Sequence, residues 1–185
     1  MTSDKTTVDF WFDPSCPWAW MTSRWVDEVA EHRDLDVTWH IMSLAVLNEN
    51  NTDIPDSYKA FFPRALRYTR LVTAAAELHG QQVVKPLYDA LGTRIHPGGS
   101  LDPDEVIPAA LAEVGLPASL AAYSESEEYD PQMRASHFEG IERVAPDVVR
   151  REIGGRHWLP RSQPALVARL VAEHVADVEA RRSGS

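Results

Sequence analysis

The sequence predicts an α/β protein, and three observations lead there. Near the N-terminus an alternating apolar segment, a segment of helical period and a second alternating segment follow one another between residues 8 and 42. That order at that spacing is a βαβ unit with parallel strands and a right-handed crossover. From about Asp56 to Val144 the apolar positions then repeat at helical spacing over a stretch too long to be a loop. Finally, 185 residues with 44% hydrophobic and 25% charged content supply one substantial core and exclude a disordered or collagen-like chain.

The elements follow from local pattern. Val8, Phe10 and Phe12 alternate with Asp9 and Trp11, a short apolar run that suits a mostly buried strand. Asp13-Pro14-Ser15 ends it, because Pro14 has no N–H for a ladder. From Pro17, well placed in a first helical turn, Trp18, Met21, Trp25 and Val29 fall on one helical stripe with Arg24, Asp27, Glu28 and Glu31 interspersed. Leu35, Val37, Trp39 and Ile41 alternate with Asp36, Thr38, His40 and Met42 as a period-2 strand. Tyr58, Phe61, Phe62, Ala65, Leu66, Val72 and Ala75 trace a helix closed at His79-Gly80, with Pro63 marking its first turn or a kink. Val83 to Leu91 form a shorter helix ending at Gly92. Asp102 as N-cap, Pro103 at N1 and Glu105 three residues after the cap start another, stopped by Gly115. Pro117–Tyr123 and Pro131–Val144 read as two more, and Ser162 caps a last helix carrying Leu166, Val167, Leu170, Val171, Val175 and Val178. The expected organisation is residues 1–52 as a βαβ half, 53–145 as an inserted helical subdomain, and 146–185 as an atypical C-terminal segment ending in a helix.

Charge narrows the partners. The net charge is −10, but residues 1–142 carry 10 Lys and Arg against 23 Asp and Glu, whereas residues 143–185 carry 8 against 5. An acidic body repels a polyanion, so nucleic acid is not expected. The basic tail reads as a solvated helix face. No run of about 18 apolar residues spans a membrane, and no apolar stretch precedes the first strand as a secretory signal would. A cytoplasmic protein is the expectation.

The chemistry centres on Cys16, the only cysteine. It excludes an internal disulfide and a Cys-rich zinc site. Its place between the first strand and the first helix, with Pro17-Trp18-Ala19 behind it, exposes it to the free N–H groups and partial positive charge of a helix N-terminus. Such cysteines ionise well below pKa ~8.5. The plainer reading is a small buried hydrophobe.

Phe10-Trp11-Phe12-Asp13-Pro14-Ser15-Cys16-Pro17-Trp18-Ala19-Trp20 resembles the active-site strand and turn of DsbA-family thioredoxin-fold proteins, closest to the actinobacterial mycothiol-dependent nitroreductase branch. The similarity continues through Thr22-Ser23-Arg24-Trp25, His40-Ile41-Met42-Ser43-Leu44 and Leu47-Asn48-Glu49-Asn50. It runs on to Pro86-Leu87-Tyr88, Arg94-Ile95-His96 and Arg134-Ala135-Ser136-His137, covering about residues 8–148. The resemblance implies a thioredoxin-like, DsbA-type βαβ core with a large inserted helical subdomain. It implies Cys16 as nucleophile, with Pro17, Trp18 and Ala19 shaping the active-site turn.

Two departures matter. The branch carries Cys-Pro-Trp-Cys, and here Ala19 replaces the resolving cysteine, so an external thiol must release any mixed disulfide. The branch also implies a cis-proline after Asp147-Val148, where this chain has Val149-Arg150-Arg151. Arg151 stands in its place, and a non-proline cis peptide costs about 2.5–4 kcal/mol. The C-terminal strands are therefore expected to be missing or altered. The Arg-rich, Lys-free tail reads as a translated alternative frame or a recombined end, which sequencing the locus checks. A shortened sheet leaves a strand edge to be covered by the tail helix or by a homodimer.

The remaining constellations are weaker. The histidines His32, His40, His79, His96, His137, His157 and His174 show no HxH or HxxxH spacing, and no metal is expected. His137 either lines a cleft or is a satisfied structural histidine. Asn48, Glu49, Asn50 and Asn51 either bind a polar thiol or serve turn chemistry. Asn51 and His137 are the candidates for contacting a thiol or substrate. Gly98-Gly99 lacks the lysine of a phosphate loop. The expected activity is thiol–disulfide exchange through Cys16 with a low-molecular-weight thiol, mycothiol or similar, as co-substrate rather than a tightly bound cofactor. Its other partner is a small electrophilic or disulfide substrate. The alternatives are a non-catalytic DsbA-like binding protein, or a relative of thiol-dependent isomerases and kappa-type glutathione transferases.

Overall fold

The computed structural model describes residues 5–144. The predicted βαβ unit opens the chain: β1 spans Thr6–Phe12, α1 Pro17–His32 and β2 Leu35–Ile41. The strands pair in parallel over their full length, from Thr6 opposite Leu35 to Phe12 opposite Ile41, and among the described residues they form a two-stranded sheet. Then come α2 (Leu44–Leu47), α3 (Asp56–Lys59), α4 (Phe62–His79), a 3₁₀ turn at Gln81–Val83 and α5 (Val84–Ile95). After these lie α6 (Pro103–Glu113), a 3₁₀ segment at Ala118–Glu125 and α7 (Asp130–Val144). The expectations for the cis-proline position, the helix from Ser162 and the rest of 146–185 fall outside the described residues.

Each face of the sheet uses its alternation. Phe12 stacks on Tyr88 of α5 with ring centroids 3.8 Å apart, and Trp39 packs against Phe10 at 4.8 Å. On the other face Trp11 stacks on His40 at 4.5 Å, while its Nε1–H donates to the Ser136 carbonyl of α7 at 3.0 Å. His40 Nε2 lies 2.7 Å from Asp9 Oδ1. β1 is less buried than its composition suggests: Thr6, Thr7 and Asp9 are exposed and only Phe12 is fully covered.

The side of β2 away from β1 is also occupied. Met42 N–H bonds the Phe12 carbonyl at 2.9 Å, so the alternate groups of β2 face outward. There Gln81 Nε2 donates to the Trp39 carbonyl, and Ser136 Oγ donates to the Ile41 carbonyl at 2.8 Å.

The phase of α1 differs from the stripe read in the sequence. Trp20, Ser23 and Val26 face the core, and Trp18, Met21 and Trp25 are 40%, 47% and 49% exposed. Tertiary approach decides this. Trp20 lies against Gly92 of α5, where an ideal Cβ would sit 2.2 Å from the indole Cε3 and Cζ3. Gly92 is therefore a packing glycine inside α5, which runs on to Ile95, and not the terminator its composition suggested. Polar groups reinforce the contact: Arg24 lies 4.0 Å over the Trp20 ring and pairs with Asp89, while Lys85 pairs with Asp27 at 2.9 Å and with Asp89 at 2.6 Å.

The helical part keeps most of its sequence logic. Tyr58 stays exposed on the short α3, and the long helix starts at Phe62 with Pro63 in its first turn. Its interior positions Tyr68, Leu71, Val72, Ala74 and Ala75 are buried with Leu87 and Leu91 of α5 and Val106, Ile107, Ala110 and Leu111 of α6. Asp102 caps α6 by accepting from Asp104 N–H at 3.0 Å. Beyond α6, Gly115 takes φ 69°, a left-handed geometry suited to glycine after a helix end. Arg70 of α4 holds the start of α7 through two bonds to Asp130, at 2.8 and 2.7 Å.

Candidate active site

Cys16 is the N-cap residue of α1. Its backbone is extended, and its Sγ accepts from Ala19 N–H at 3.5 Å, in the manner of a Ser or Asp cap. Pro17 fills the first helical position, and the Cys16 carbonyl receives Trp20 N–H at 3.0 Å. Pro17 and Trp18 are exposed, Ala19 and the sulfur half-buried, so the turn presents Cys16 between a covered and an open side. The strand-to-helix boundary lies where the sequence puts it.

The acidity of the sulfur runs opposite to the helix-end argument. Burial pushes the Cys16 thiol up, and the neighbouring Asp13 charge adds to that, outweighing the Ala19 and Trp18 N–H groups that favour the thiolate. Capping N–H groups are thus present but do not compensate the loss of water.

Asp13, which composition did not single out, is the most connected residue of the turn. It is 2% exposed. Its Oδ1 accepts from Ser15 N–H at 2.8 Å and Ser15 Oγ–H at 2.6 Å, its Oδ2 from Leu44 N–H at 2.8 Å, and its carbonyl from Cys16 N–H at 2.9 Å. Burial raises its carboxyl pKa against these hydrogen bonds. The signal for it was legible as Asp-Pro-Ser, an Asx-turn composition directly before the cysteine.

His96, at the end of α5, contributes from the other side. Its Nε2 lies 3.0 Å from the Pro14 carbonyl; a carbonyl only accepts, so Nε2 carries the proton. Its ring stacks on Trp20 at 5.6 Å, and burial lowers its pKa.

His137 of α7 is fully buried and its Nδ1 accepts from Ser43 N–H at 3.4 Å, so that nitrogen is unprotonated. Burial, with Arg134 nearby, lowers its pKa. The next amide, Leu44 N–H, is the one bound to Asp13, so His137 is joined to the Cys16 turn through two successive amides. Asn51 is placed differently. It is exposed in its own turn: its Nδ2 donates to Asn48 Oδ1 at 3.3 Å, and its Oδ1 accepts from Asp53 N–H at 3.0 Å. No hydrogen bond among the described residues links it to Cys16.

Among the described residues no three His, Cys, Asp or Glu side chains converge in a metal-binding arrangement. No described helix is long and apolar enough to cross a membrane.

The chain is similar to several known proteins. The profile of the Rv2466c-like family, described as mycothiol-dependent nitroreductase Rv2466c, matches residues 15–154. An uncharacterized Mycobacterium tuberculosis protein, Rv2286c, is 29% identical over 138 residues, 71% of this chain. The chain spans 57% of that relative's length. A solved structure from Nitrosomonas europaea, provisionally named a protein disulfide isomerase, superposes with a TM-score of 0.51 at 15% identity, over 77% of this chain and 79% of that one. At that identity the likeness speaks for the fold.

Proposed function

Because the chain belongs to the Rv2466c-like family of mycothiol-dependent nitroreductases and has a DsbA-like, thioredoxin-type fold with a helical insertion, we propose that it is a monothiol oxidoreductase acting through Cys16. Mycothiol, or a thiol of the same class, is its co-substrate. The observation that carries this reading is the capping geometry of Cys16, whose sulfur already accepts a helix N–H where a thiolate would need one. Pro17, Trp18 and Ala19 form the turn around it.

The exchange balances without a second cysteine. Cys16 loses its proton to solvent and its thiolate attacks one sulfur of a small disulfide; the S–S bond breaks, and the other sulfur leaves as a thiolate. A second thiolate then attacks the mixed disulfide at the substrate sulfur, forming a new small disulfide and returning Cys16 as thiolate. Ala19 makes the second step intermolecular. His137 and Asn51 stay candidates for contacting the thiol, His137 through Ser43 and Asn51 only through movement of its turn. The activity belongs to a cytoplasmic, membrane-independent setting in this reading, and residues 53–145 form the insertion into the βαβ fold. The raised thiol favours a second reading, a DsbA-like binding protein that has lost catalysis.

Intact mass after exposure to oxidised mycothiol distinguishes the two. One mycothiol added to the protein, removed by reduced mycothiol and absent in Cys16→Ser, is the expected result. No adduct with folded protein refutes the oxidoreductase and leaves the binding protein.

A further inference from the structure

We infer that Asp13 is a positioning residue for Cys16: one buried carboxylate fixes the turn that presents the sulfur, ties that turn to the first amide of α2, and sets the reactivity of Cys16 by its charge. This rests on Cys16 being the reacting group of the proposed function.

The geometry is that of an anion held by dipoles alone. Three donors meet the carboxylate: Ser15 N–H and Oγ–H on Oδ1, and Leu44 N–H on Oδ2. None of the three belongs to a cation. The Cys16 amide hangs on the same residue's carbonyl at 2.9 Å. A role confined to turn geometry needs only acceptors, which an amide side chain supplies on one side. An ionised carboxylate adds a negative charge to the turn that carries the sulfur three residues on, and like charges held in one turn oppose each other's formation. The Cys16 thiol is raised first by burial and further by the Asp13 charge, while the Asp13 carboxyl is raised by its own burial.

Arg24, over the Trp20 ring, is compensated by its pair with Asp89, and the other titratable groups packed around the turn are neutral near pH 7. They are Tyr88 and His96 from α5 and, behind Ser43, His137 from α7. Burial pushes the Tyr88 phenol up and both histidines down. The Arg134–Glu49 ion pair beyond His137 is an internally compensated couple, at 2.6 Å. The charge that changes beside Cys16 is therefore that of Asp13. With the acid ionised the sulfur resists ionisation, and with the acid neutral it yields more readily.

Iodoacetamide alkylation of Cys16 across pH tests this without any thiol substrate, so a failed mycothiol exchange does not confuse the result. In Asp13→Asn, shown to be folded by urea unfolding, the alkylation profile is expected to move to lower pH, with a several-fold faster rate at pH 7. A folded variant with an unchanged or slower profile overturns the inference. Should the variant not fold, the unaltered protein decides. The Asp13 carboxyl ¹³C resonance is expected to show a second inflection where Cys16 ionises, lost in Cys16→Ser. A single inflection, or one that persists in Cys16→Ser, overturns it.

Discussion

Replacing Gly92 by Ala tests how the candidate active site is anchored. In an ordinary helix interior this change stabilises by roughly 1 kcal/mol, because glycine is the poorer helix former. Here the added methyl would lie 2.2 Å from two carbons of the Trp20 ring, where ordinary contact begins near 3.4 Å. The ring must retreat by more than an ångström, and its exits are blocked. Arg24 covers one side at 4.0 Å, His96 stacks at 5.6 Å, and Tyr88 meets it edge-on at 5.7 Å. Overpacking costs about 1–3 kcal/mol, and a pinned indole belongs at the upper end. Subtracting the propensity gain leaves a net loss of about 2 kcal/mol. Urea unfolding of Gly92→Ala reads this as a lower midpoint at unchanged slope. Trp20→Leu with Gly92→Ala should show a favourable coupling, since the smaller side chain vacates the methyl's place. A single variant as stable as the parent, or more so, would refute the packing argument.

Two further outcomes follow from other contacts. Arg70→Ala should cost about 1–3 kcal/mol, because two charge-assisted bonds to Asp130 are lost where the pair is only 16% and 21% exposed. Arg70→Lys should recover less than half of this by the same unfolding assay, since an ammonium cannot reproduce the paired geometry. On the acid side the raised Asp13 carboxyl adds stability as pH falls, while His96 and His137 work in the opposite direction and lower it. Both fold with lowered pKa values, so between those values and the ordinary 6.5 the unfolded chain binds more protons. In Asp13→Asn, which lacks the opposing carboxyl, stability should therefore fall as pH drops below about 6.5, and a melting temperature that stays flat from pH 7 down to 5 in that variant would contradict the buried, neutral state of both rings.

What was legible in the sequence was whatever local chemistry decides. The alternation of Leu35–Ile41, the cap at Asp102, the helix start just after Cys16 and the first-turn prolines at 17 and 103 all appear where the pattern puts them, and Pro63 takes the first-turn alternative. What was not legible depends on contacts between elements. The apolar stripe Trp18, Met21, Trp25 and Val29 is as periodic as the buried one, and only the missing Cβ of Gly92 tells which side of α1 is drawn inward. The same glycine looked like a stop signal because termination and close approach use the same residue. Within the site, the position of Cys16 was readable, but the direction of its acidity was not, since that depends on the burial of Asp13 and of the sulfur itself. His137 reaches the turn only through the amides of Ser43 and Leu44, a link that no spacing announces.

The donors on the outer side of β2 bear on how copies of this protein meet one another in a crowded cell. A strand rim with vacant carbonyls is a template on which a neighbouring chain can crystallise into a growing ribbon. On β2 the carbonyls of Trp39 and Ile41 are already taken by Gln81 and Ser136. A stray strand arriving there would have to evict two seated side chains before forming its first bonds. The C-terminal half of the rim is thus plugged by donors lent by flanking segments instead of by charges or prolines in the strand.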